Sequence, residues 1–140
     1  MLVSTRGRYA LRVMLELAQR PAGSFTPLPV IAEAQSVSEK YLESIVVLLS
    51  RAGLVDGVRG KGGGYRLTRT PDQYAVGEIL RLTEGTLAPV TCLEGEENTC
   101  PRAGHCRTLP MWEKLDSMIN DYLDSVSLAD LLRETDGSSL

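Results

Sequence analysis

The chain contains 140 residues, of which 43% are hydrophobic and 5% aromatic, a composition that suits one compact helical domain with an appendage and argues against an aromatic-rich β-sandwich. The net charge of −3 is divided unevenly: residues 1–70 carry ten cations and five anions (+5), and residues 71–140 carry five cations and thirteen anions (−8), so only the N-terminal half can meet phosphate. No apolar run approaches the roughly 20 residues needed to span a bilayer, and residues 1–6 lack the apolar centre of a signal peptide, so we expect a cytoplasmic protein with no membrane partner.

Two helices are predicted at the start of the chain. Residues 8–19 carry apolar side chains at helical spacing, and the stretch Pro21-Ala22-Gly23 ends that pattern. Residues 26–34 begin with prolines, which a helix tolerates only in its first turn. The second helix is therefore expected to be short.

A tight turn and a third helix follow. Residues 35–37 lead to Ser38, a favourable N-cap, and apolar residues then recur from Tyr41 to Leu49 before Gly53. This order of helix, turn and helix indicates a helix-turn-helix, although an ordinary helical hairpin has the same local pattern.

Residues 57–67 combine several glycines with three cations between two short strands, residues 54–58 and 65–68. Glycine supplies the positive φ that a tight hairpin requires. A hairpin directly after a helix pair predicts the wing of a winged helix, in a fold that is mainly α with a small β-hairpin. Nucleotide binding is not expected, because Lys61 is followed by Gly62 and not by the Ser or Thr of a phosphate-binding loop.

A winged helix-turn-helix places the start of its recognition helix in the major groove of DNA. There, Glu43 could accept a hydrogen bond from cytosine, and Lys40 could reach guanine or phosphate. Arg59, at the hinge of the wing, suits a narrow A·T-rich minor groove. The predicted DNA-binding residues are Arg6, Arg8, Ser38, Glu39, Lys40, Glu43, Arg59 and Lys61, with Ser44 and Arg66 as further contacts.

A further short helix with Val76, Ile79 and Leu80 on its apolar side ends at Gly85, where we expect the core of the DNA-binding domain (residues 1–85) to be complete. Residues 86–110 have no clear period and hold all three cysteines. Long loops of this kind are usually functional or disordered. We interpret residues 86–110 as a sensor loop.

Cys92, Cys100 and Cys106 are separated by seven and five residues, which is too far for the paired-cysteine turns of structural zinc sites. In a reducing compartment, three clustered thiols suit an iron–sulphur cluster, a thiol redox switch, or zinc-bound or inert cysteines. No fourth ligand is obvious. His105 is the only histidine, but it adjoins Cys106, and neighbouring residues seldom reach one metal together. The alternatives are a residue of the partner subunit, a small thiol, or one of Glu94, Glu96 and Glu97.

After Pro110, apolar residues recur every three or four positions from Met111 to Val126. A helix with such a wide apolar stripe, placed after the first core, favours burial against a twin helix in a homodimer, although packing within one chain is the simpler alternative. Residues 111–134 are thus expected to form a dimerisation helix and a short closing helix, and residues 135–140 a flexible tail.

Three motifs together carry a resemblance to a known family: Thr5-Arg6-Gly7-Arg8-Tyr9-Ala10, Ser38-x-x-Tyr41-Leu42-Glu43, and Arg59-Gly60-Lys61-Gly62-Gly63-Gly64-Tyr65. Over residues 1–133 the chain resembles the Rrf2 family of bacterial winged-helix regulators, with its IscR-like and CymR-like members. The resemblance implies a homodimer that reads a palindromic double-stranded DNA operator. In IscR-like members, three cysteines of this loop hold a 2Fe–2S cluster, and Cys92, Cys100 and Cys106 occupy the matching places.

Two departures from the IscR-like pattern concern the cluster. The first cysteine spacing is longer, and Leu109 stands where IscR-like members have a histidine ligand. The resemblance therefore implies ligation by three cysteines, with 2Fe–2S favoured over 4Fe–4S and the fourth ligand unassigned.

The expected function is transcriptional regulation through a three-cysteine loop that senses cluster status or redox state. The alternative is a CymR-like regulator of cysteine or sulphur metabolism without a cluster, controlled by thiol oxidation or by a partner protein that docks on the acidic half. An enzyme is not expected, because the chain has one histidine, no nucleophile elbow and no paired carboxylates in a glycine-bounded site.

Overall fold

A computed structural model of the chain describes residues 3–134, so the predicted tail 135–140 lies outside the described residues. The elements in chain order are α1 (Thr5–Ala18), α2 (Leu28–Gln35), α3 (Glu39–Arg51), β1 (Val55–Val58), β2 (Gly64–Leu67), α4 (Val76–Glu84), α5 (Leu109–Ser125) and α6 (Leu128–Glu134). A mainly α fold with one antiparallel hairpin and a long C-terminal helix is thereby confirmed. Within residues 3–134, no helix has the length and apolar character needed to cross a membrane.

The first helix begins three residues earlier than its apolar pattern indicates. The Ser4 hydroxyl accepts a hydrogen bond from the Gly7 backbone N–H at 3.1 Å and so acts as the N-cap of α1. Side-chain capping is independent of apolar periodicity, which is why the pattern alone misses this first turn.

The helix-turn-helix forms as predicted. Ser36 adopts the left-handed conformation (φ 56°) directly after α2, which turns the chain sharply. The Ser38 hydroxyl then accepts a hydrogen bond from the Tyr41 N–H at 3.2 Å and starts α3. Leu42, Ile45 and Leu49 place the apolar face of α3 in the core.

The wing is the hairpin of β1 and β2, in which Val55 pairs with Leu67 and Val58 with Gly64. Thr26 extends it, because its N–H and C=O each form a 2.9 Å backbone hydrogen bond with Tyr65. A Cβ on Gly64 would lie 2.2 Å from the Thr26 carbonyl oxygen, and φ at Gly64 is 141°. Glycine is thus required where the wing meets the segment before α2.

The main core lies between α1, α2, α3, the wing and α4, and Tyr74 is its largest fully buried side chain. Its hydroxyl donates to the Leu54 carbonyl at 2.7 Å and accepts from the N–H groups of Thr68 (2.9 Å) and Arg69 (3.0 Å). One buried phenol thereby satisfies backbone groups at the base of both wing strands.

The sequence pattern predicted a core that is complete at Gly85, but the core also includes a residue from the C-terminal part of the chain. Leu128, in α6, is fully buried within it. The chain returns because the Val76 N–H donates to the Val126 carbonyl at 2.8 Å and the Leu128 N–H donates to the Tyr74 carbonyl at 3.1 Å. Contacts between segments about 50 residues apart leave no local pattern in the sequence.

The long helix α5 begins at Leu109, two residues before its predicted start, with Pro110 in the first turn where no N–H is needed. One side of α5 packs Ile119 and Leu123 against the buried Val76 and Leu80 of α4. The adjacent side leaves large apolar residues exposed: Met111, Leu115, Met118 and Tyr122.

Tyr74→Phe removes the hydroxyl, which leaves the part-buried N–H groups of Thr68 and Arg69 without their partner and leaves the Leu54 carbonyl with only the Thr68 hydroxyl at 3.3 Å. We expect the free energy of unfolding to fall by about 1–3 kcal/mol, the usual cost of leaving buried polar groups unsatisfied. Urea unfolding followed by circular dichroism measures this change. Tyr9→Phe is the matched control, since Tyr9 is only partly buried and its hydroxyl makes no hydrogen bond within residues 3–134. Equal stability of the two variants would contradict this role of Tyr74.

Candidate nucleic-acid interface and cysteine loop

The start of α3 presents polar side chains to solvent. Glu39, Lys40, Glu43 and Ser44 are exposed, and so is the N-cap Ser38. The Ser44 hydroxyl donates a hydrogen bond to the Tyr41 carbonyl at 2.7 Å. The side chains of Lys40 and Glu43 make no hydrogen bond or ion pair within residues 3–134. Two charged side chains of opposite sign are therefore free to meet base edges or phosphates.

The wing presents two further free cations. Arg59 and Lys61 are exposed between β1 and β2 and have no hydrogen-bond or ion-pair partner in the described part of the chain. Gly60 (φ 90°) and Gly62 (φ 79°) keep this loop tight, so both side chains project from a short turn. An unpaired cation on an exposed turn is well placed to meet phosphate or a narrow groove.

A groove of about 240 Å³ runs between α3 and the wing, and both elements line it. Val47, Ser50 and Arg51 contribute from α3, and Val58 and Arg59 from the wing. Arg51 was absent from the sequence-based set, although a basic residue in the last turn of a recognition helix was a signal for it. The groove shows that the recognition helix and the wing are neighbours.

Arg66 is already engaged inside the protein. Its guanidinium donates to the Gly23 carbonyl at 3.1 Å, stacks 4.4 Å from the Phe25 ring centroid and lies 3.6 Å from the Asp56 carboxylate. Asp56 is its cross-strand neighbour in the wing. These contacts give Arg66 a role in fixing the wing, and we leave it out of the DNA-contacting set.

The basic start of α1 carries Arg6 and Arg8, both exposed. Arg8 donates to the Thr5 hydroxyl at 3.3 Å, and Arg6 has no partner among residues 3–134. Glu84 holds the N-terminal end of α1, because its carboxylate accepts hydrogen bonds from the Ser4 N–H (2.6 Å) and the Ser4 hydroxyl (2.8 Å). This anchor was not predicted, since 80 residues separate its partners.

An aromatic contact positions α3 against α1. The rings of Tyr9 and Tyr41 meet edge to face, with centroids 5.9 Å apart, and Arg12 lies 4.5 Å from the Tyr9 centroid. Arg12 also donates to the Gln35 carbonyl at 2.6 Å and so satisfies the end of α2. Side chains of α1 therefore fix the turn between α2 and α3.

The cysteine loop, residues 86–108, joins α4 to α5 and holds Cys92, Cys100 and Cys106 as free, partly buried thiols. Leu87 anchors the loop by packing against Val76 and Leu80 of α4. The neighbouring His105 is exposed.

The described conformation does not bring these thiols into one ligand set. Among residues 3–134, no group of three or more His, Cys, Asp or Glu side chains is arranged to hold a metal ion. The residues that the resemblance assigns to a cluster therefore do not fit one as they stand.

Cys106 differs from an ordinary surface cysteine. Its sulphur lies 3.3 Å from the Thr108 hydroxyl, and hydrogen bonding by Thr108, through its hydroxyl and then its N–H, lowers the pKa of the Cys106 thiol. The Leu109 N–H and the charge of Arg102 act in the same direction. The thiolate, which is the nucleophile and the metal ligand, is thus favoured at Cys106.

Known transcriptional regulators are similar to this chain over almost its whole length. The Rrf2 family model, described as iron-dependent transcriptional regulator, matches residues 3–134. The chain is 40% identical over 137 residues to the HTH-type transcriptional regulator CymR of Bacillus subtilis, covering 98% of this chain and 94% of CymR. It is 39% identical over 132 residues to the HTH-type transcriptional regulator IscR of Aliivibrio salmonicida, covering 94% of this chain and 77% of that IscR.

Two solved structures of such regulators have the same fold. That of B. subtilis CymR, named as its global cysteine regulator, has a TM-score of 0.79 and covers 97% of this chain and 99% of its own. T. potens IscR has a TM-score of 0.76 at 37% identity and covers 100% of this chain and 92% of its own. Both coverages extend through the C-terminal helices.

Thr108→Val keeps the shape of the side chain and removes its hydroxyl. We expect the pKa of Cys106 to rise, so alkylation by iodoacetamide at pH 7 slows by about threefold or more and the difference disappears at alkaline pH, because the rate follows the thiolate fraction. Mass spectrometry reads this thiol alone, since trypsin releases Cys106 on residues 103–107 and the other two cysteines on residues 82–102.

Thr99→Val, next to Cys100, is the matched control and should leave the Cys106 rate unchanged. An unaltered pH profile in Thr108→Val would show that the Thr108 hydroxyl does not activate the thiol.

Proposed function

The chain belongs to the Rrf2 family of transcriptional regulators, and we propose that it works in the cytoplasm as a homodimer that binds a palindromic double-stranded DNA operator. As a transcriptional regulator it is not an enzyme. The proposal divides the chain into a DNA-binding domain (residues 1–85), a sensor loop (residues 86–110) and a dimerisation region (residues 111–134). The observation that carries it is the groove shared by the recognition helix and a wing with unpaired cations.

The start of α3 would read the major groove. A recognition helix contacts base edges with its N-terminal residues, and the free side chains there are Lys40 and Glu43. The Glu43 carboxylate can only accept hydrogen bonds, so in the major groove it favours the amino groups of cytosine or adenine. The Lys40 ammonium can only donate, so it favours acceptors such as guanine or phosphate. Ser38 and Glu39 would complete this edge of the interface.

The wing would enter the adjacent minor groove. Arg59 is exposed and unpaired at the base of the wing turn, and narrow A·T-rich grooves concentrate negative potential that attracts arginine. Lys61, Arg6 and Arg8 would contact phosphates and fix the register of the protein on the duplex. Such contacts make binding strongly salt-dependent.

The exposed side of α5 would form the dimer interface. Met111, Leu115, Met118 and Tyr122 are 38–67% exposed and follow one another at spacings of four, three and four residues. A contiguous apolar stripe on a 17-residue helix is a liability in water and suits burial against the same stripe of a second copy. Two recognition helices related by a two-fold axis would then require a palindromic site.

The cysteine loop would receive the signal, because it joins the DNA-binding domain directly to α5. One candidate is iron–sulphur status, supported by the description of the family as iron-dependent and by the similarity to IscR. The thiolates for a cluster would come from Cys92, Cys100 and Cys106. A 2Fe–2S cluster is favoured over a 4Fe–4S cluster, and His105 is a candidate for the fourth ligand. The described loop would have to rearrange to bring them together.

The second candidate is control without a cluster, as in a CymR-like regulator of cysteine or sulphur metabolism. Similarity to CymR and the hydrogen-bonded thiol of Cys106 support it. Oxidation of the Cys106 thiol would change the conformation of the cysteine loop. A partner protein docked on the acidic half would act on the same loop. Both candidates predict the same DNA-binding half.

Arg59→Ala tests the wing. We expect affinity for a duplex selected from a random-sequence pool to fall about tenfold or more, with reduced preference for A·T-rich flanks, because one groove contact is typically equivalent to about 1–3 kcal/mol. Fluorescence anisotropy at several salt concentrations measures both effects. Arg133→Ala removes an exposed arginine of α6 and serves as the control. Unchanged affinity in Arg59→Ala would remove the wing from the interface.

The anaerobic absorption and EPR spectra, with iron and sulphide assayed on the same sample, distinguish the two signals. An iron–sulphur regulator should be red-brown and lose its visible bands in Cys92→Ser, Cys100→Ser or Cys106→Ser. A colourless protein that takes up no iron on anaerobic reconstitution would favour thiol oxidation or a partner protein. Neither result alters the proposed DNA interface.

A further inference from the structure

Arg81, in α4, holds the long helix α5 by three hydrogen bonds. Its guanidinium donates to both carboxylate oxygens of Asp124, at 2.8 and 2.9 Å, and to the side-chain oxygen of Asn120 at 2.8 Å. Asn120 and Asp124 lie one turn apart on α5. Because both terminal nitrogens of the planar guanidinium donate to α5, they fix the direction of α5 as well as its distance from α4.

Gly77 makes room for this contact. A Cβ at Gly77 would lie 2.2 Å from an Asp124 carboxylate oxygen and 3.1 Å from the Arg81 guanidinium. Gly77 is buried inside α4 and has no positive φ, so its backbone conformation does not call for glycine. Gly77 lies in the first turn of α4, where the absence of a side chain clears the space that the carboxylate occupies.

The same short helix holds α1. Glu84, three residues after Arg81, accepts two hydrogen bonds from Ser4 at the start of α1. A nine-residue helix thus connects α5 on one side with the basic end of α1 on the other.

The joint between α5 and α6 is fixed independently of Arg81. The Val76 N–H donates to the Val126 carbonyl, and the Leu128 N–H donates to the Tyr74 carbonyl. These bonds fix where α5 ends, and Ile119 and Leu123 pack its apolar side against α4. Arg81 binds the last one and a half turns of α5, at Asn120 and Asp124, and supplies the directional polar contact that helps to determine how α5 leaves the domain.

We propose that Arg81 is a positioning residue that fixes the angle between α5 and the DNA-binding domain and thereby selects the spacing of the two DNA half-sites. The inference rests on the proposed function, in which the exposed stripe of α5 pairs with a second copy. If α5 lies on the dimer axis, any rotation of α5 against α4 moves the two recognition helices relative to each other.

A simpler interpretation is an ordinary surface ion pair. The side chains of Arg81 and Asp124 are 37% and 48% exposed, and exposed pairs contribute little to stability. Mutual hydrogen bonding raises the pKa of Arg81 and lowers that of Asp124, so both remain charged across the physiological range. The two interpretations agree on stability and differ on spacing, which makes spacing the informative measurement.

The experiment uses the full chain and the palindromic duplex that it selects from a random pool, with the spacer between half-sites changed by one or two base pairs. Each base pair shifts one half-site by about 3.4 Å and rotates it by about 35°. The wild-type protein should bind its preferred spacing about tenfold more tightly than the neighbouring spacings. In Arg81→Met and Gly77→Ala we expect that ratio to fall to about threefold or less.

Three controls separate positioning from a general defect. Arg69→Met breaks a similar pair between Arg69, in the segment before α4, and Glu78 of α4. This pair does not reach α5, so the variant should keep the wild-type preference. A duplex with one half-site scrambled should bind wild type and variants equally. The exchange Arg81→Asp with Asp124→Arg should restore part of the spacing preference.

The outcomes are distinguishable from failure of the proposed function. A wild-type protein that sediments as a monomer or ignores palindromes would overturn the proposed function. Folded, dimeric Arg81→Met and Gly77→Ala proteins with the full wild-type spacing preference would overturn only the role of Arg81. If Arg81→Met does not fold, Asp124→Ala tests the same contact, and a retained preference there counts equally against the proposal.

Discussion

The buried hydroxyl and backbone of Tyr74 join the DNA-binding and C-terminal parts of the molecule. The hydroxyl bonds the backbone of Leu54 and Thr68 at the base of the wing, and the Tyr74 carbonyl accepts the Leu128 N–H of the returning chain. Because unsatisfied polar groups in a core are costly, these bonds stabilise both junctions. The wing and α6 share the main core, and α5 packs against α4 in a second cluster, so α5 is connected to the wing through packed helices.

The division of charge explains how a protein of net charge −3 can bind DNA. The N-terminal half carries +5, and Arg59 and Lys61 stay unpaired within the described residues. In the C-terminal half, Arg81 and Arg133 are neutralised by carboxylates of their own half. Electrostatic attraction acts over about 8 Å in physiological salt, so the local excess governs the encounter with phosphate, and the acidic half repels phosphate.

The sequence was sufficient for the recognition helix and the wing, which depend on local chemistry, although the equally local Ser4 cap of α1 was missed. Ser38 marks the start of α3 and the glycines after Arg59 mark the wing, because capping and positive φ are decided within a few residues. Contacts across the chain could not be read in this way: the Glu84 anchor of Ser4 and the burial of Leu128 join distant segments. The cysteine loop is the least predictable part, since it lacks repeating structure and its conformation is set by such contacts.

In the proposed dimer, two copies of α5 meet on a two-fold axis and present two recognition helices to DNA. Sedimentation equilibrium of the protein with its selected palindromic duplex measures this assembly. We predict two chains per duplex for wild type and for Ser117→Glu, which adds a carboxylate on the polar side of α5. We predict a monomer that binds weakly for Leu115→Glu, which places the same charge in the apolar stripe. A Leu115→Glu protein that remains dimeric and binds normally would contradict the proposed dimer.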